Sequence, residues 1–468
     1  MKIGLIGPSN QERMLPFDAQ RSINLYPVAD DSKGGKENYA LYGTPGLLAF
    51  ATIPDAPIRG VFASAKGRAF AVAGVGLYEI DSAGTVTLRG TLTSNESICT
   101  ITENVTQLGI CDGTTLWILT YSTNAFAQVT DSDFPGASSV TFQDQLFIVN
   151  KPSTAEVYIS AVGNGLSWAS LDFQTAESSP DNLVRVFSAF GQIWCFGETT
   201  TEVWYNSGDT TYPFTRVEGA KIQIGCAAKH SVLDMDNRLF WIGNDKDGKG
   251  IVYAAQGYTA VRISTHAVEL AIRAATNISA IRAYSYQEDG HLFYALTGGG
   301  MATTWVYDAA TNLWHERAYL EPDGSLSAHL AVAHMYIFGK HLVADKESGV
   351  IYEMSNSYYS DNGNEIFRQR TFTHLHDENK RFVVRELQVD FEAGLGLTTG
   401  QGSNPVAILE TSNDGGKTWS SEYSVSIGAI GLYKARAVWR RLGLFDLFTA
   451  RITVTDPIRV AICGAYLS

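Results

Sequence analysis

The chain has 468 residues, of which 45% are hydrophobic and 18% are charged, and this balance excludes a chain that stays disordered. Its formal charge of -13 at pH 7 excludes a protein that wraps nucleic acid tightly, because phosphate binding needs clustered Lys and Arg. No apolar run reaches the roughly 18 residues that a membrane-spanning helix needs.

The N-terminal segment, residues 1–55, does not share the pattern of the chain that follows it. Its opening, MKIGLIGPSNQERM, lacks the basic and apolar regions of a signal peptide, so we expect a protein that is not secreted. The opening glycines are similar to those of a dinucleotide site, but the third glycine is missing and Pro16 would interrupt the following helix. We therefore predict no cofactor and interpret the segment as an arm or edge strand that leads into the first repeat.

A strand couplet recurs from residue 67 onward. Each copy is an apolar-aromatic strand, a turn and a second strand with an aliphatic-aromatic pair. The seven copies lie at 67–81, 107–120, 145–160, 192–207, 238–256, 291–308 and 341–355. Their apolar anchors, spaced 38 to 53 residues apart, are Phe70, Leu108, Phe147, Trp194, Phe240, Phe293 and Leu342.

This spacing predicts an all-β fold, a β-propeller over residues 56–365. A period of about 40 to 50 residues is typical of propeller blades, and further strand-like stretches between the couplets give each period three or four strands. Helical solenoids are disfavoured because the spacing of apolar residues by three and four is absent, except near THAVELAIRAA at 265–275. Seven blades are favoured, and six remain possible if one copy lies outside the ring.

Residues 366–468 have a different texture and predict a C-terminal β-sandwich-like domain. The stretch after residue 365 alternates apolar and polar residues, and several further strand-like stretches close the chain. The five cysteines are widely spaced and mostly lie within apolar strands, so we interpret them as buried thiols of a protein made in a reducing compartment.

Residues 412–419 fit the Asp-box pattern S-x-D-x-G-x-x-W, with Ser412, Asp414, Gly416 and Trp419 at the four fixed positions. In such a hairpin the aspartate accepts hydrogen bonds from backbone N–H groups, the glycine permits a positive φ and the tryptophan anchors the hairpin to a sheet. The pattern predicts a structural hairpin. It occurs once and apart from the propeller, so it is weak support for a sialidase.

Two stretches are superficially similar to metal sites. His374 and His376 share one face of a strand, but no Cys or His cluster follows at ligand spacing. The run Asn244-Asp245-Lys246-Asp247-Gly248 lacks the glutamate that closes a calcium loop. We predict no metal ligands and no catalytic residues, and we interpret the two stretches as a solvated strand end and a polar hairpin.

The central third of the chain resembles a known family. Residues 166–265, which begin LSWASLDFQTAES, together with NLYPV at 24–28, TPGL at 44–47 and VWRRLG at 438–443, are similar to segments of the packaged-DNA stabilisation proteins of short-tailed bacteriophages, also called tail-hub or nozzle proteins. The resemblance spans most of the chain. No one motif is diagnostic, and their order and spacing carry the resemblance.

The resemblance implies a structural protein of the virion that is not an enzyme. It implies a homohexameric ring below the portal and its adaptor proteins, assembled in the host cytoplasm. Such a ring would continue the DNA channel, help to retain the packaged genome until ejection, and hold the tail needle, spikes or fibres. Double-stranded DNA would pass through it without sequence-specific binding.

An alternative from another class is a carbohydrate-binding or carbohydrate-cleaving propeller. The Asp-box and the aromatic residues favour it, Trp194, Trp204, Trp305 and Trp314 among them. Tryptophans in blade strands usually pack between sheets, which makes the structural interpretation stronger than sugar stacking. A scaffold similar to WD or kelch propellers is a third option, although the glycine doublets of kelch repeats do not recur.

Overall fold

A computed structural model describes residues 2–30, 32, 37–94, 97–177, 179–245, 248–378 and 380–468. Nearly all regular structure in these ranges is β. The α-helix that the sequence predicts is present as His266–Ala274, with Thr265 as its N-cap. Short 3-10 helices occupy Lys229–Ser231 and Ile278–Ala280.

Seven antiparallel sheets form the blades of a propeller, and in the first six the strands follow chain order from the centre outward. Blades 1 to 3 comprise Ile58–Ala63, Ala69–Ala73, Gly76–Ile80 and Val86–Thr91; Thr100–Glu103, Gln107–Cys111, Leu116–Thr120 and Ala125–Gln128; and Ser139–Gln143, Leu146–Asn150, Glu156–Ala161 and Asn164–Thr175.

Blades 4 to 6 continue this order, although the innermost strand of blade 5 is split in two. They comprise Leu183–Ala189, Gln192–Gly197, Thr201–Asn206 and Phe214–Arg216; Gly225–Cys226 with Leu233–Met235, Arg238–Asp245, Gly248–Gln256 and Thr259–Arg262; and Ile281–Glu288, His291–Gly298, Thr304–Asp308 and Leu313–Leu320, which also pairs with Leu326–Ala328.

Blade 7 closes the ring with a strand from the N-terminal segment. Its inner strands are Ala331–Ile337, Lys340–Asp345 and Val350–Ser355, and its outermost strand is Gly46–Thr52. The short strands Ser360–Asp361 and Asn364–Glu365 extend this sheet. The innermost strand of blade 7 contacts that of blade 1. All seven couplets therefore lie inside the ring as the second and third strands of the blades, which confirms the seven-bladed propeller.

The apolar runs of the couplets are explained by burial on both faces of each blade. Within blade 5, Leu239 and Trp241 pack against blade 4, whereas Phe240 and Ile242 pack against blade 6. Successive side chains of a strand point to opposite faces, so a strand between two neighbours reads as a continuous apolar run. Buried clusters of this kind lie at all seven blade interfaces.

A β-sandwich packs beside the ring and confirms the expected fold class. One sheet runs in the order Ala437–Phe445, Phe382–Phe391, Ala461–Leu467, Tyr39–Gly43, Leu25–Ala29, with Lys2–Ile3 beside Ala461–Leu467. The other runs in the order Ser22–Ile23, Arg368–Thr371, Leu447–Val454, Val406–Ser412, Tyr423–Ser426, with Leu375–His376 beside Leu447–Val454. Leu25 and Leu41 are buried in the core between these sheets, with Val389 and Ile452.

The N-terminal segment is thus shared between the two parts of the fold. Its strand Gly46–Thr52 pairs with the last blade, whereas we expected from the sequence that the segment would lead into the first blade. Its earlier strands Leu25–Ala29 and Tyr39–Gly43 belong to a sandwich sheet. Pairings over more than 300 residues leave no local sequence signal, because the hydrophobic pattern fixes which face of a strand is buried but not which distant strand lies beside it.

Four cysteines are buried in or beside blade strands, and in the described residues they pack as small apolar side chains. They are Cys99, Cys111, Cys195 and Cys226. Burial raises the pKa of the Cys99 thiol to about 12 and that of Cys226 to about 11. These thiols are therefore protonated at neutral pH and are poor nucleophiles.

Candidate functional site

The N-terminal segment joins the propeller to the sandwich through the short strand Ser22–Ile23. On one side Ile23 pairs with Glu316 in the outermost strand of blade 6, and on the other it pairs with Gln369 in the sandwich. The next residue, Asn24, has φ of 52°, and its side-chain amide donates to the carbonyl oxygens of Ala318 and Phe367 at 2.8 Å each. One three-residue stretch therefore ties both domains together.

A buried carboxylate organises the propeller side of this junction. Glu316, 3% exposed, accepts hydrogen bonds from the Ser9 hydroxyl at 2.6 Å, from the Arg21 guanidinium Nε at 3.0 Å and from the Thr303 hydroxyl at 3.0 Å. Burying a charge is costly unless it is paired and hydrogen-bonded, and here both conditions hold. The carboxylate therefore fixes two points of the N-terminal segment to blade 6.

A buried arginine organises the sandwich side. Arg370, in Arg368–Thr371, donates to the Leu5 carbonyl at 2.6 Å, the Pro8 carbonyl at 3.0 Å and the Gln20 side-chain oxygen at 2.7 Å. Burial lowers the pKa of Arg370 to about 10, so the guanidinium stays charged at neutral pH. Arg370 is therefore a clamp on the first 21 residues.

The Asp-box hairpin connects Val406–Ser412 to Tyr423–Ser426. The Asp414 carboxylate accepts hydrogen bonds from the backbone N–H groups of Lys417 and Thr418, both at 2.9 Å, and these bonds hold its pKa well below the usual range. Gly416 has φ of 90°, and its N–H donates to the Ser412 hydroxyl at 2.8 Å. The Trp419 ring lies under the Arg451 guanidinium at 4.3 Å from its centroid.

This hairpin also supports a second hairpin that the N-terminal segment forms, residues 10–20, which we call the arm hairpin. Its strands are Asn10–Gln11 and Ala19–Gln20. Pro16 is pressed against Gly415 so closely that a Cβ there would lie 2.6 Å from the Pro16 Cα. The arm hairpin presents Met14 and Phe17 to solvent, at 65% and 75% exposure. The contact between the two hairpins has no counterpart in the sequence analysis.

A second exposed apolar surface lies on two adjacent loops of the sandwich, and we call it the sandwich tip. Its members are Leu397, Ile430, Leu432 and Tyr433, which are 38%, 56%, 58% and 74% exposed. The loops are in contact, since a Cβ at Gly394 would meet the Tyr433 ring at 2.7 Å. Contiguous exposed apolar residues mark interaction surfaces in soluble proteins.

The stretches similar to metal sites are engaged otherwise. His374 lies within 2.5 Å of the Thr449 hydroxyl through Nδ1 and within 2.7 Å of the Leu15 carbonyl through Nε2, whereas His376 is exposed. Asn244 pairs with Lys249 across neighbouring strands, and Lys246 and Asp247 lie outside the described residues. Across the described ranges, no three His, Cys, Asp or Glu side chains are grouped so that they could hold a metal ion.

The aromatic residues that favoured a carbohydrate protein are buried. Trp194, Trp204, Trp305 and Trp314 are between 1% and 5% exposed and pack between blades. A tryptophan that stacks on a sugar must offer a ring face to solvent, so these four residues give the carbohydrate alternative no support.

Comparison with known families covers both parts of the fold. A family model described as "Bacteriophage P22 Gp10, beta-propeller" matches residues 1–359, and one described as "Bacteriophage P22 Gp10, beta-sandwich" matches residues 368–468. The chain belongs to the bacteriophage P22 Gp10 family. This family comprises packaged-DNA stabilisation proteins, so the chain is a structural phage tail protein and a component of the virion. The resemblance found in the sequence is confirmed.

The solved structures that are similar to this chain share little of its sequence. The extracellular domain of a one-component system of B. thetaiotaomicron has 9% identity and a TM-score of 0.44, with 67% of this chain and 40% of that domain covered. The N-terminal domain of Nup159 has 8% identity and a TM-score of 0.43, with 72% and 99% covered. This chain spans less than half the length of the B. thetaiotaomicron domains that it matches. A comparison with the curated proteins found no match.

Membership of a family of structural phage proteins implies assembly with other virion proteins. In the parts of the chain that the structure describes, no helix is long and apolar enough to cross a membrane.

The junction residues were not found from the sequence, although one signal was present. Arg368 and Arg370 alternate with polar residues in a short stretch that is fully buried, and paired arginines inside a strand indicate polar partners elsewhere in the fold.

Proposed function

We propose that this protein is a tail hub, or nozzle, that forms a homohexameric ring below the portal and its adaptor proteins. The ring continues the DNA channel, helps to retain the packaged genome until ejection, and provides attachment for a needle, spikes or fibres. The subunits assemble in the host cytoplasm onto a filled capsid. The observation that carries the proposal is the match of both the propeller and the sandwich to the bacteriophage P22 Gp10 family.

The construction of the subunit supports this role. A ring that bears load needs subunits that do not bend between their domains. Here the strand Ser22–Ile23 is paired with both domains, and the buried groups Glu316 and Arg370 fix the chain on either side of it. A propeller and sandwich joined in this way form one rigid block, which suits packing around a symmetry axis.

The net charge supports passage of DNA rather than binding. The chain carries 48 acidic and 35 basic residues, so its overall field repels a polyanion. A channel wall of this kind holds DNA by confinement. Affinity for duplex DNA, with the steep salt dependence that phosphate contacts produce, would argue against this part of the proposal.

We place the contact between neighbouring subunits outside the propeller, on the sandwich tip. The apolar side chains of Ile430, Leu432 and Tyr433 are exposed in the monomer. Their contact with water is unfavourable, and packing of neighbouring subunits would remove it. The arm hairpin, with Met14 and Phe17, provides a second apolar surface for a portal-adaptor protein or a distal tail part.

The test is a matched pair of double variants mixed with the portal-adaptor complex and examined by sedimentation. Ile430→Glu with Leu432→Glu introduces charge at the sandwich tip, and we expect the ring to be lost while the monomer keeps its circular dichroism. Leu88→Glu with Val105→Glu makes the same change at exposed sites on blades 1 and 2, where we expect normal assembly. Normal assembly of the tip variant would contradict the proposed contact.

A further inference from the structure

A cavity of about 460 Å³ lies at the centre of the propeller, where the innermost strands of the blades meet. Strands of blades 1, 2, 4, 5, 6 and 7 contribute to its wall. Pockets of about 300 to 1,000 Å³ are the usual size for small-molecule ligands. We call this cavity the propeller channel.

Basic side chains converge on the propeller channel in a chain that is acidic as a whole. Arg59, Arg185 and Arg282 line it, and Lys229 is the chain neighbour of His230, which also lines it. The Lys229 ammonium reaches across to the Ser138 carbonyl at 3.1 Å. Arg185, Lys229 and Arg282 all lie near His230. Burial is the largest cause of the lowered pKa of His230, and the three positive charges lower it further.

The hydrogen bonds of these bases go to backbone carbonyls and not to carboxylates. Arg59 donates to Ser97 at 2.6 Å and to Gly74 at 2.9 Å, Arg185 donates to Val232 at 3.1 Å, and Arg282 donates to Ile58 at 3.4 Å. None of them forms an ion pair with a carboxylate in the described ranges. Arg59 is buried, and Arg185, Lys229 and Arg282 are half-buried. Charges withdrawn from water without a counter-ion are rare in proteins because their desolvation is not compensated.

Among the described residues, two carboxylates lie near these bases, and neither forms an ion pair with them. Asp234 lines the channel and is exposed. Asp112, close to Lys229, already accepts hydrogen bonds from Thr114 and Thr115. The channel therefore keeps an excess of positive charge.

Two donors on the channel wall lack a partner among the described residues. They are Nη2 of Arg59 and Nε of Arg185. Arg59 is 3% exposed, so water does not readily solvate its guanidinium. Nearly all buried polar groups in proteins are hydrogen-bonded, and unmet donors at a cavity indicate an unseen acceptor. The acceptor that suits guanidinium groups is an oxyanion.

We propose that the propeller channel binds a small phosphate oxyanion, such as inorganic phosphate or pyrophosphate. The site is separate from the assembly surfaces and goes beyond the proposed role as a tail hub. The bound anion neutralises the excess charge, accepts from the orphaned donors and bridges the innermost strands of opposite blades. It therefore acts as a structural ligand that stiffens the ring.

The test is calorimetric titration of the full chain with pyrophosphate at constant ionic strength. We expect saturable binding of one anion per chain. Arg185→Gln should weaken it by about tenfold or more, the loss expected for a charge-assisted hydrogen bond. Arg282→Gln removes a second positive charge from the channel wall, and we expect about a fivefold loss. Arg216→Gln, at an exposed site on blade 4, is the matched control and should leave the affinity unchanged.

Several outcomes would overturn the proposal. They are the absence of saturable binding at millimolar pyrophosphate, an affinity that survives in both Arg185→Gln and Arg282→Gln, or an equal loss in Arg216→Gln. If Arg185→Gln does not fold by circular dichroism, the Arg282→Gln titration decides. Displacement of pyrophosphate by a 5′-phosphorylated oligonucleotide, with tighter binding of the oligonucleotide, would identify a nucleic-acid site and overturn the proposal as stated. Ring assembly is measured separately, so either result is independent of the hub role.

Discussion

At the scale of single residues, the fold depends on a few charged side chains placed where apolar ones are usual. Arg370 is fully buried, yet its guanidinium meets acceptors from three parts of the N-terminal segment. An apolar side chain of similar length would leave those acceptors unpaired in the interior. A buried acceptor without a partner costs about 1 to 3 kcal/mol.

We therefore expect Arg370→Met to destabilise the protein by about 3 kcal/mol or more, measured by urea unfolding. The loss should come with faster proteolysis of residues 2–21, because these residues lose their clamp. Arg385→Met is the matched control at an exposed site and should change stability by less than about 0.5 kcal/mol. Equal stabilities for the two variants would show that Arg370 is not a clamp.

The Asp-box predicts a pH dependence. Backbone hydrogen bonds from Thr418 are the largest cause of the lowered pKa of Asp414. A carboxyl group with a lowered pKa in the folded state stabilises the protein above its unfolded pKa of about 4, and that contribution is lost as the pH falls through the folded value.

Asp414→Asn should therefore lower the melting temperature at pH 7, and the difference from the wild type should shrink between about pH 4 and pH 2. Thermal melts at these pH values measure it. Asp133→Asn, at an exposed loop site, is the control. A difference that stays constant with pH would mean that the charge of Asp414 plays no part in the hairpin.

At the scale of elements, the closure of the ring depends on the strand Gly46–Thr52. Leu47 is 1% exposed and packs with Tyr352 and Met354, whereas its neighbour Leu48 is 47% exposed on the opposite face of the strand. The two leucines therefore form a natural pair for comparison.

Leu47→Ala should cost about 2 to 4 kcal/mol through lost burial and the cavity that remains. Leu48→Ala should cost less than about 1 kcal/mol, since little apolar area is removed from a buried environment. Hydrogen exchange of Val350–Ser355 should accelerate in the first variant alone. Similar exchange in both variants would show that this strand does not close the ring.

The elements also show how far the sequence determines the fold. Each couplet can be recognised from its own sequence, because strands that are buried on both faces must be apolar along their length. The run Leu239–Ile242 is an example. The partner of Gly46–Thr52 could not be predicted, since edge-strand pairing is set by the closed ring rather than by the strand. The contact between Pro16 and Gly415 was missed for a similar reason, because a glycine required by a distant proline is indistinguishable from any turn glycine.

At the scale of the whole molecule, the propeller and sandwich share the N-terminal segment. The expected division into residues 1–55, 56–365 and 366–468 stays a prediction. Because strands from residues 2–43 complete both sandwich sheets, a fragment that starts at residue 366 should not fold on its own.

The most direct measurement is electron microscopy of the protein mixed with the portal-adaptor complex. We expect six copies around an open axial bore, attached at the distal end of the adaptor. A free monomer alone would not decide the matter, since such rings can form on a template. A protein that stays monomeric and shows no affinity for the portal-adaptor complex would contradict the proposed hub role.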